Sequence, residues 1–275
     1  MKSTRNARPL RLAAALFFGA IGLQAAHAAD PIVAGTLTTT PPMMSYASDG
    51  TTLVGAFVDL GAAMSAKLGR TITFKSVPFP ALLPQMQSKQ IDVAFSPMND
   101  TPERQKVVDF VDFFNLGTKL LVKKGNPDRI DGVDGLCGKT VATVQGSIQI
   151  QLVTDQSAKC TAAGHAAVEN MQYANPADAR LQVQTGRAAV FLGNSPVMVY
   201  QVRNAGDGKI FDVVTGKEYQ LSPIGIAVAK DNAALRDALK KAIEAIIADG
   251  SYVKILEKYG MESGAVATAA INGGH

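Results

Sequence analysis

The sequence predicts an α/β fold with largely parallel sheets, arranged as two units of roughly 100 residues each. Three observations carry this. Short β-branched and apolar runs alternate with helical patterns from Ile32 onward. The alternation falls into two halves, separated by the Gly- and Asp-rich stretch "DRIDGVDGLCGKT". The chain then closes on a long amphipathic helical pattern, "NAALRDALKKAIEAIIADGSYVKILEKYG".

In order, Ile32–Thr36 reads as the first strand. Phe57–Leu68 carries Leu60, Met64 and Leu68 at four-residue spacing, the period of one helix face, and Gly69 follows as a C-cap. Thr71–Val77 reads as a strand, and Ala81–Ser88 as a helix that tolerates Pro84 only in its first turn. Ile91–Phe95 is a buried-type strand. Thr101 and Pro102 open the next helix, and a further strand is expected after Phe114, in "NLGTKLLVKKGNP". The second half gives strand Thr140–Val144, helix Gln149–Lys159, strand Val168–Gln172, helix Ala177–Gln184 and strand Ala188–Leu192. Ser195–Val202 reads as helix, "FDVVTG" and "IGIAVAK" as strands. In the last helical segment Leu235, Leu239, Ile243 and Ile246 or Ile247 form the apolar stripe. Residues after Glu262 are expected to fray.

Lys2, Arg5, Arg8 and Arg11 precede an apolar run from Leu12 to Ala26, and Ala26-His27-Ala28 offers a small-x-small cleavage site. This is the layout of a secretory signal peptide over residues 1–28, with the mature chain starting at Ala29. The run is short of the ~20 residues that a membrane span requires. Four of the 27 basic side chains lie in this leader, leaving 23 against 23 acidic ones. The formal charge of +4 therefore belongs to the leader, and no nucleic-acid partner is indicated. Cys137 and Cys160 are the two cysteines. In an exported chain the pair reads as one structural disulfide, worth ~3 kcal/mol by loop closure; a metal site would need more ligands than the nearby His165 supplies.

Motifs for enzymatic chemistry are missing: there is no G-x-S-x-G, H-E-x-x-H or G-x-G-x-x-G. "GLCGKT" has Val133 where a phosphate loop needs its first glycine, so it reads as a turn entering a strand. Outside the leader the histidines are His165 and His275, which makes imidazole catalysis improbable, and no cofactor or metal is expected. An anion site is the pattern that remains. Ser96, Asn99 and Thr101 follow the carboxyl end of a strand, where open α/β sheets place ligands. Arg104 stands one turn into the next helix, where a cation opposes the helix dipole by ~0.3–1 kcal/mol. A carboxylate between the guanidinium and the free helix N–H groups would relieve that conflict. Gly146, Ser147 and Ile148 offer a second strand-to-helix junction. The plain alternative is two ordinary N-caps and a surface arginine.

The segments "VGAFVDLGAAMSAKLG", "VPFPALLPQMQSKQIDVAFSPMNDTPERQKVVDFVDFF", "LLVKKGNP", "LCGKTVATVQGSIQ", "GRAAVFLGNSPVMVY" and "IGIAVAKDNAALRDALKKAIEAIIADGSYVKILEKYG" together resemble the periplasmic solute-binding proteins of ABC importers, family 3. The resemblance implies the two-lobed type II periplasmic-binding-protein fold, with lobe 1 over 29–116 plus 222–265, lobe 2 over 117–221, two hinge crossings and a flexible tail at 266–275. It implies a periplasmic, monomeric, non-enzymatic protein that closes on an amino acid or related small carboxylate and docks on a membrane permease. The family's carboxylate-binding arginine falls on Arg104, helped by Ser96 and Asn99, with Gly146, Ser147 and Ile148 reaching from the other lobe. Phe79 is the expected ring over the ligand.

Three positions depart from the pattern. Asn194 stands where an aspartate pairs with the α-ammonium, Thr40 replaces an aromatic, and Phe57 replaces the first acid of "GFDVDLA". A buried ammonium facing an amide lacks its ionic partner. With Met43 and Met44 expected in the first-lobe wall, the site favours an organic carboxylate, or a modified or apolar amino acid, over lysine, arginine or histidine. Alternatively, Asn194 accepts a hydrogen bond and an ordinary amino acid binds weakly. Dehydratase-type chemistry on this fold lacks an acid in "FLGNSPV"; a sensor role is not separable from transport by sequence.

Overall fold

The computed structural model describes Met1, residues 30–216 and residues 218–274. The expected leader, its cleavage site and His275 lie outside the described residues. β1 (Ile32–Thr36) leads into a small antiparallel sheet of β2 (Thr39–Thr40), β3 (Met44–Tyr46) and β4 (Leu53–Val54). In α1 (Ala56–Leu68) the periodic positions Phe57, Leu60 and Met64 are buried, and Gly69 ends the helix at φ 63°, the left-handed conformation glycine adopts at no steric cost. β5 (Ile72–Ser76), α2 (Leu82–Gln87) and β6 (Val93–Ala94) follow, with Pro84 in the first turn of α2.

The next element differs from the expectation. α3 (Pro102–Gln105) is a single turn, and β7 (Val108–Lys123) begins at once and runs for 16 residues. "VVDFVDFF" is β-branched and aromatic, and nearly every residue of β7 is buried, so burial on both faces of a sheet outweighs continuation of the helix. The second half then runs through β8 (Thr140–Val144), α4 (Gln149–Ala162), β9 (Glu169–Tyr173), α5 (Pro176–Thr185), β10 (Val190–Asn194), α6 (Ser195–Asn204) and β11 (Phe211–Val213). β12 (Tyr219–Ala229), α7 (Ala233–Ala248), α8 (Ser251–Lys258) and β13 (Ala265–Ile271) complete the chain. The segment expected to fray is β13, antiparallel to β7 with Ala270 opposite Asp112 and Ile271 opposite Val111. Its small side chains allow it to lie close on a strand that is already buried.

The main sheet has the order β5-β1-β6-β12-β7-β10-β8-β9, with β11 and β13 also on β7. Pairing is parallel within β5-β1-β6 and within β10-β8-β9. It is antiparallel where β12 and β7 join these two halves. Two lobes thus share one sheet through two long strands. The first lobe is packed around Phe57, Phe95 and Phe113, whose ring centroids lie 5.3 Å apart pairwise. Such pairs add ~0.5–1.5 kcal/mol each beyond their burial. Phe57, the departure from the family acid, is therefore a core residue. The second lobe has its own aliphatic cluster, including Leu120, Val122, Ile130, Val141, Val153, Val190 and Leu192. A disulfide joins Cys137, before β8, to Cys160 on α4, with 5.5 Å between Cα atoms.

Candidate functional site

The parallel strands of both lobes point their carboxyl ends at the seam between them. Pro97 and Asn99 follow β6, Ser147 and Gln149 follow β8, and Asn194 ends β10. These residues line a cleft with about 480 Å³ of empty space, part of it open to solvent, with Thr40 and Phe79 on the first-lobe side. The rest of the wall is apolar, with Leu37 from the first lobe and Val144, Phe191, Leu192, Val197 and Met198 from the second. Among the described residues the lining contains no aspartate, glutamate or histidine.

Arg104 reaches the edge of this cavity and spans the seam. Its Nη1 donates to the Asn99 carbonyl at 2.6 Å, and its Nη2 to the Gly146 carbonyl, across the lobes, at 2.8 Å. The guanidinium carbon lies 5.4 Å from the Phe79 ring centroid, within cation–π range. Burial pushes the Arg104 pKa down to about 10, against the opposing charges of Asp100 and Glu103, so the side chain remains cationic at neutral pH. Because α3 is one turn, its dipole adds little, and the guanidinium fork is the strong anion-seeking group here. Thr101 caps α3 by accepting from the Arg104 main-chain N–H at 3.4 Å.

Asn99 takes part differently from its sequence reading. Its side chain donates to Ser222 Oγ at 2.8 Å, while its main-chain carbonyl holds Arg104. Ser96 lies beneath the wall, fully buried, with Oγ accepting from the Leu37 N–H at 3.3 Å. Thr40 is buried and donates to the Leu37 and Met44 carbonyls, at 3.3 and 3.4 Å. Met43 and Met44, expected in the wall, are fully buried in the core instead, where the Met43 carbonyl accepts the Phe57 N–H. Gly146 adopts φ 73° and turns its carbonyl to Arg104. The Ser147 hydroxyl is buried without a hydrogen-bond partner among the described residues.

On the second-lobe side a chain of neutral groups carries the polarity. Asn194 Oδ1 accepts from Gln149 Nε2 at 3.5 Å, and the same Nε2 donates to Thr118 Oγ1 at 2.8 Å. Thr118 Oγ1 donates to Gln220 Oε1 at 3.3 Å, and Gln220 Nε2 to the Ile148 carbonyl at 3.0 Å. Ile148 thus faces the strand crossing rather than the cavity. Gln149 was missed by sequence reasoning; its position as the first residue of α4, next to Gly146–Ile148, was the available signal. Asn194 keeps its amide NH₂ as a donor and a second lone pair on Oδ1 as an acceptor.

The sequence model of the bacterial extracellular solute-binding proteins, family 3, matches residues 32–262. The putative ABC transporter arginine-binding protein 2 of Escherichia coli (strain K12) is 30% identical over 235 residues, covering 85% of this chain and 92% of that protein. An ancestral arginine-binding protein bound to glutamine is 34% identical with a TM-score of 0.74, over 83% of this chain and 97% of that one. An ancestral amino acid-binding protein, a precursor of cyclohexadienyl dehydratase, is 28% identical with a TM-score of 0.71, over 83% and 94%. The match runs from the first residue of β1 to just past α8, through both lobes and both crossing strands, and on that ground the chain belongs to the bacterial extracellular solute-binding proteins, family 3.

Proposed function

We propose that this protein captures a small carboxylate without a charged side chain, closing its lobes over it in the periplasm and handing it to the permease of an ABC importer. The observation that carries the reading is the contrast at the cavity: one cation at its edge, and no carboxylate in its lining. Arg104 holds the ligand carboxylate with the guanidinium N–H groups not directed at Asn99 and Gly146. Ser147 meets it from the second lobe, and Phe79 covers it. Ser96 shapes the turn from beneath the wall, and Asn99, which lines the cavity, also holds Arg104 through its main-chain carbonyl. The relatives include arginine-binding proteins. For this chain a cationic side chain would be buried without an ionic partner, a cost of several kcal/mol. An α-ammonium would meet the Asn194 amide, a neutral acceptor in place of an ionic partner. A neutral amino acid in a shifted pose, or an organic acid without the ammonium, fits better.

The lobes divide at 29–116 plus 222–265 and 117–221, with Ala265–Ile271 joining the first. Support comes from the β7–β12 ladder, which is irregular between Tyr219 opposite Thr118 and Ser222 opposite Leu116. Binding rather than turnover is favoured, because the lining offers neither a carboxylate nor an imidazole for proton transfer. A thermal-shift and calorimetric panel of L-arginine, L-lysine, L-glutamine, L-leucine and 4-methylpentanoate, run beside Arg104→Ala, tests the reading. Neutral amino acids or the monocarboxylate should bind, and Arg104→Ala should abolish it. Tight binding of arginine or lysine would overturn the reading.

A further inference from the structure

The described residues after β13 are not free in solvent. Asn272, Gly273 and Gly274 are tied by hydrogen bonds to the stretch that carries Arg104. The Gly274 N–H donates to Asp100 Oδ2 at 2.8 Å, and its carbonyl accepts from Gln105 Nε2 at 2.9 Å. Gln105 Nε2 also bonds Asp100 Oδ1 at 2.8 Å. The Gly273 N–H donates to Asp112 Oδ2 at 2.8 Å. Asn272 exchanges main-chain and side-chain bonds with Phe110, its N–H to the Phe110 carbonyl and the Phe110 N–H to its Oδ1. Asp100 and Asp112 are 2% and 3% exposed, so these are buried carboxyl groups rather than surface contacts. They flank α3 in sequence and meet in space.

We propose that Asn272–Gly274 and the buried carboxyl pair Asp100–Asp112 position the turn that presents Arg104 to the cavity. The proposal rests on the reading of Arg104 as the carboxylate grip. Glycine is demanded at the contact: a Cβ on Gly274 would sit 2.2 Å from the Asp100 carbonyl oxygen, and one on Gly225 would sit 2.6 Å from Asp112 Oδ1. Among the described residues no N–H or O–H faces Asp112 Oδ1, and the Asp100 carboxyl lies against it. A proton on the Asp112 carboxyl supplies the missing bond.

The groups around the pair can be named. β12 brings Gly225, without charge. α3 brings Gln105, the exposed Glu103, and Arg104, on which the Asp100 charge acts. Farther along β7, Asp109 is neutralised by Lys230 at 3.3 Å and Arg236 at 2.8 Å, and accepts from Asn272 Nδ2 at 3.1 Å. None of the described salt bridges includes Asp100 or Asp112, and the Arg104 guanidinium, spent on the Asn99 and Gly146 carbonyls, acts on Asp100 only through its charge. Burial, then the Asp100 carboxyl, push Asp112 from 3.8 up to about 7, against the Gly273 N–H. The folded chain holds a proton that the unfolded chain has released. The stability contributed by the pair is full below about pH 4 and is lost as pH rises through about 7. Above that, two like charges press apart and slacken the turn that carries Arg104.

Amide hydrogen exchange of residues 99–107 between pH 6 and 8, expressed as protection factors, tests this without any ligand. In the wild-type chain protection should fall as pH rises through 7. Gly274→Ala should lower it about tenfold at pH 6, while α7 stays protected and reports that the fold is intact. Asp112→Asn, which fixes the pair in a singly charged state, should make the profile flat. Wild-type protection at 99–107 in Gly274→Ala, or an unchanged pH profile in Asp112→Asn, overturns the proposal. If Arg104→Ala leaves binding of L-glutamine, L-leucine and 4-methylpentanoate untouched, the carboxylate reading falls instead, and the exchange result is unaffected.

Discussion

On the first-lobe side of the cavity, built after β1 and β6, the polar chemistry is one cation held by a main-chain carbonyl and an aromatic ring. On the second-lobe side, built after β8 and β10, it is a run of amides and hydroxyls from Asn194 through Gln149 and Thr118 to Gln220. On the proposed reading, the first side calls for a negative charge on the ligand, and the second supplies hydrogen bonds without formal charge. The lobes also differ in how they are held: the first by a cluster of stacked and edge-on phenylalanines and by β13, the second by a smaller aliphatic cluster and a disulfide.

The comparison can be broken most easily at its charged end. Arg104→Ala should cost about 2–5 kcal/mol of carboxylate binding, measured by calorimetry, because it removes the sole described cation facing the ligand. A loss below tenfold would mean that the two sides share the grip equally. In the second lobe, replacing both Cys137 and Cys160 by serine should lower stability by ~3 kcal/mol. That is a fall of roughly 6–12 °C in Tm for a chain of this size, with affinity retained. An unchanged Tm would show that the aliphatic cluster suffices without the covalent bond.

Asn194→Asp sharpens the contrast. It places a carboxylate where the second lobe has an amide, and should improve L-leucine relative to 4-methylpentanoate, the same skeleton without the ammonium, by about 1–2 kcal/mol. Equal effects on both ligands would show that Asn194 does not face the α-position. The smallest change is expected from Ser147→Ala. Its hydroxyl has no described partner, so stability should shift by less than ~0.5 kcal/mol while carboxylate affinity falls by about 1 kcal/mol. The reverse order in a denaturation and titration pair would make the hydroxyl structural.

Much of this was legible from residues. The period of α1, the Gly69 cap and the strand–helix alternation each report a local preference, and the structure follows them. Arg104 was legible because a cation at a helix start is a conflict visible in sequence. β7 was not, since "VVDFVDFF" next to a good helix start satisfies two local rules, and only burial on both faces decides between them. β13 was hidden for a related reason: its small residues carry no strong pattern until β7 offers an edge. Asn99 shows a further limit. Its side-chain type suggested a ligand contact, whereas its main-chain carbonyl holds Arg104, and any residue type has a carbonyl. Met43 and Met44 were placed by their neighbourhood in sequence, but the small sheet of β2, β3 and β4 folds them inward.

The gap in the β7–β12 ladder has a kinetic meaning. Between Leu116 and Thr118 on one strand, and Tyr219 and Ser222 on the other, register is lost; Gln220 there adopts φ 49° and Leu221 is 68% exposed. Lobes that part at this point rupture few matched ladder bonds. Of the contacts described above, the Arg104–Gly146 hydrogen bond crosses the proposed lobe boundary, whereas Gln220, Thr118 and Ile148 all lie on the second-lobe side. On the proposed reading, opening breaks a bond made by the same side chain that grips the carboxylate, so the off-rate of a captured molecule and its recognition are coupled through Arg104.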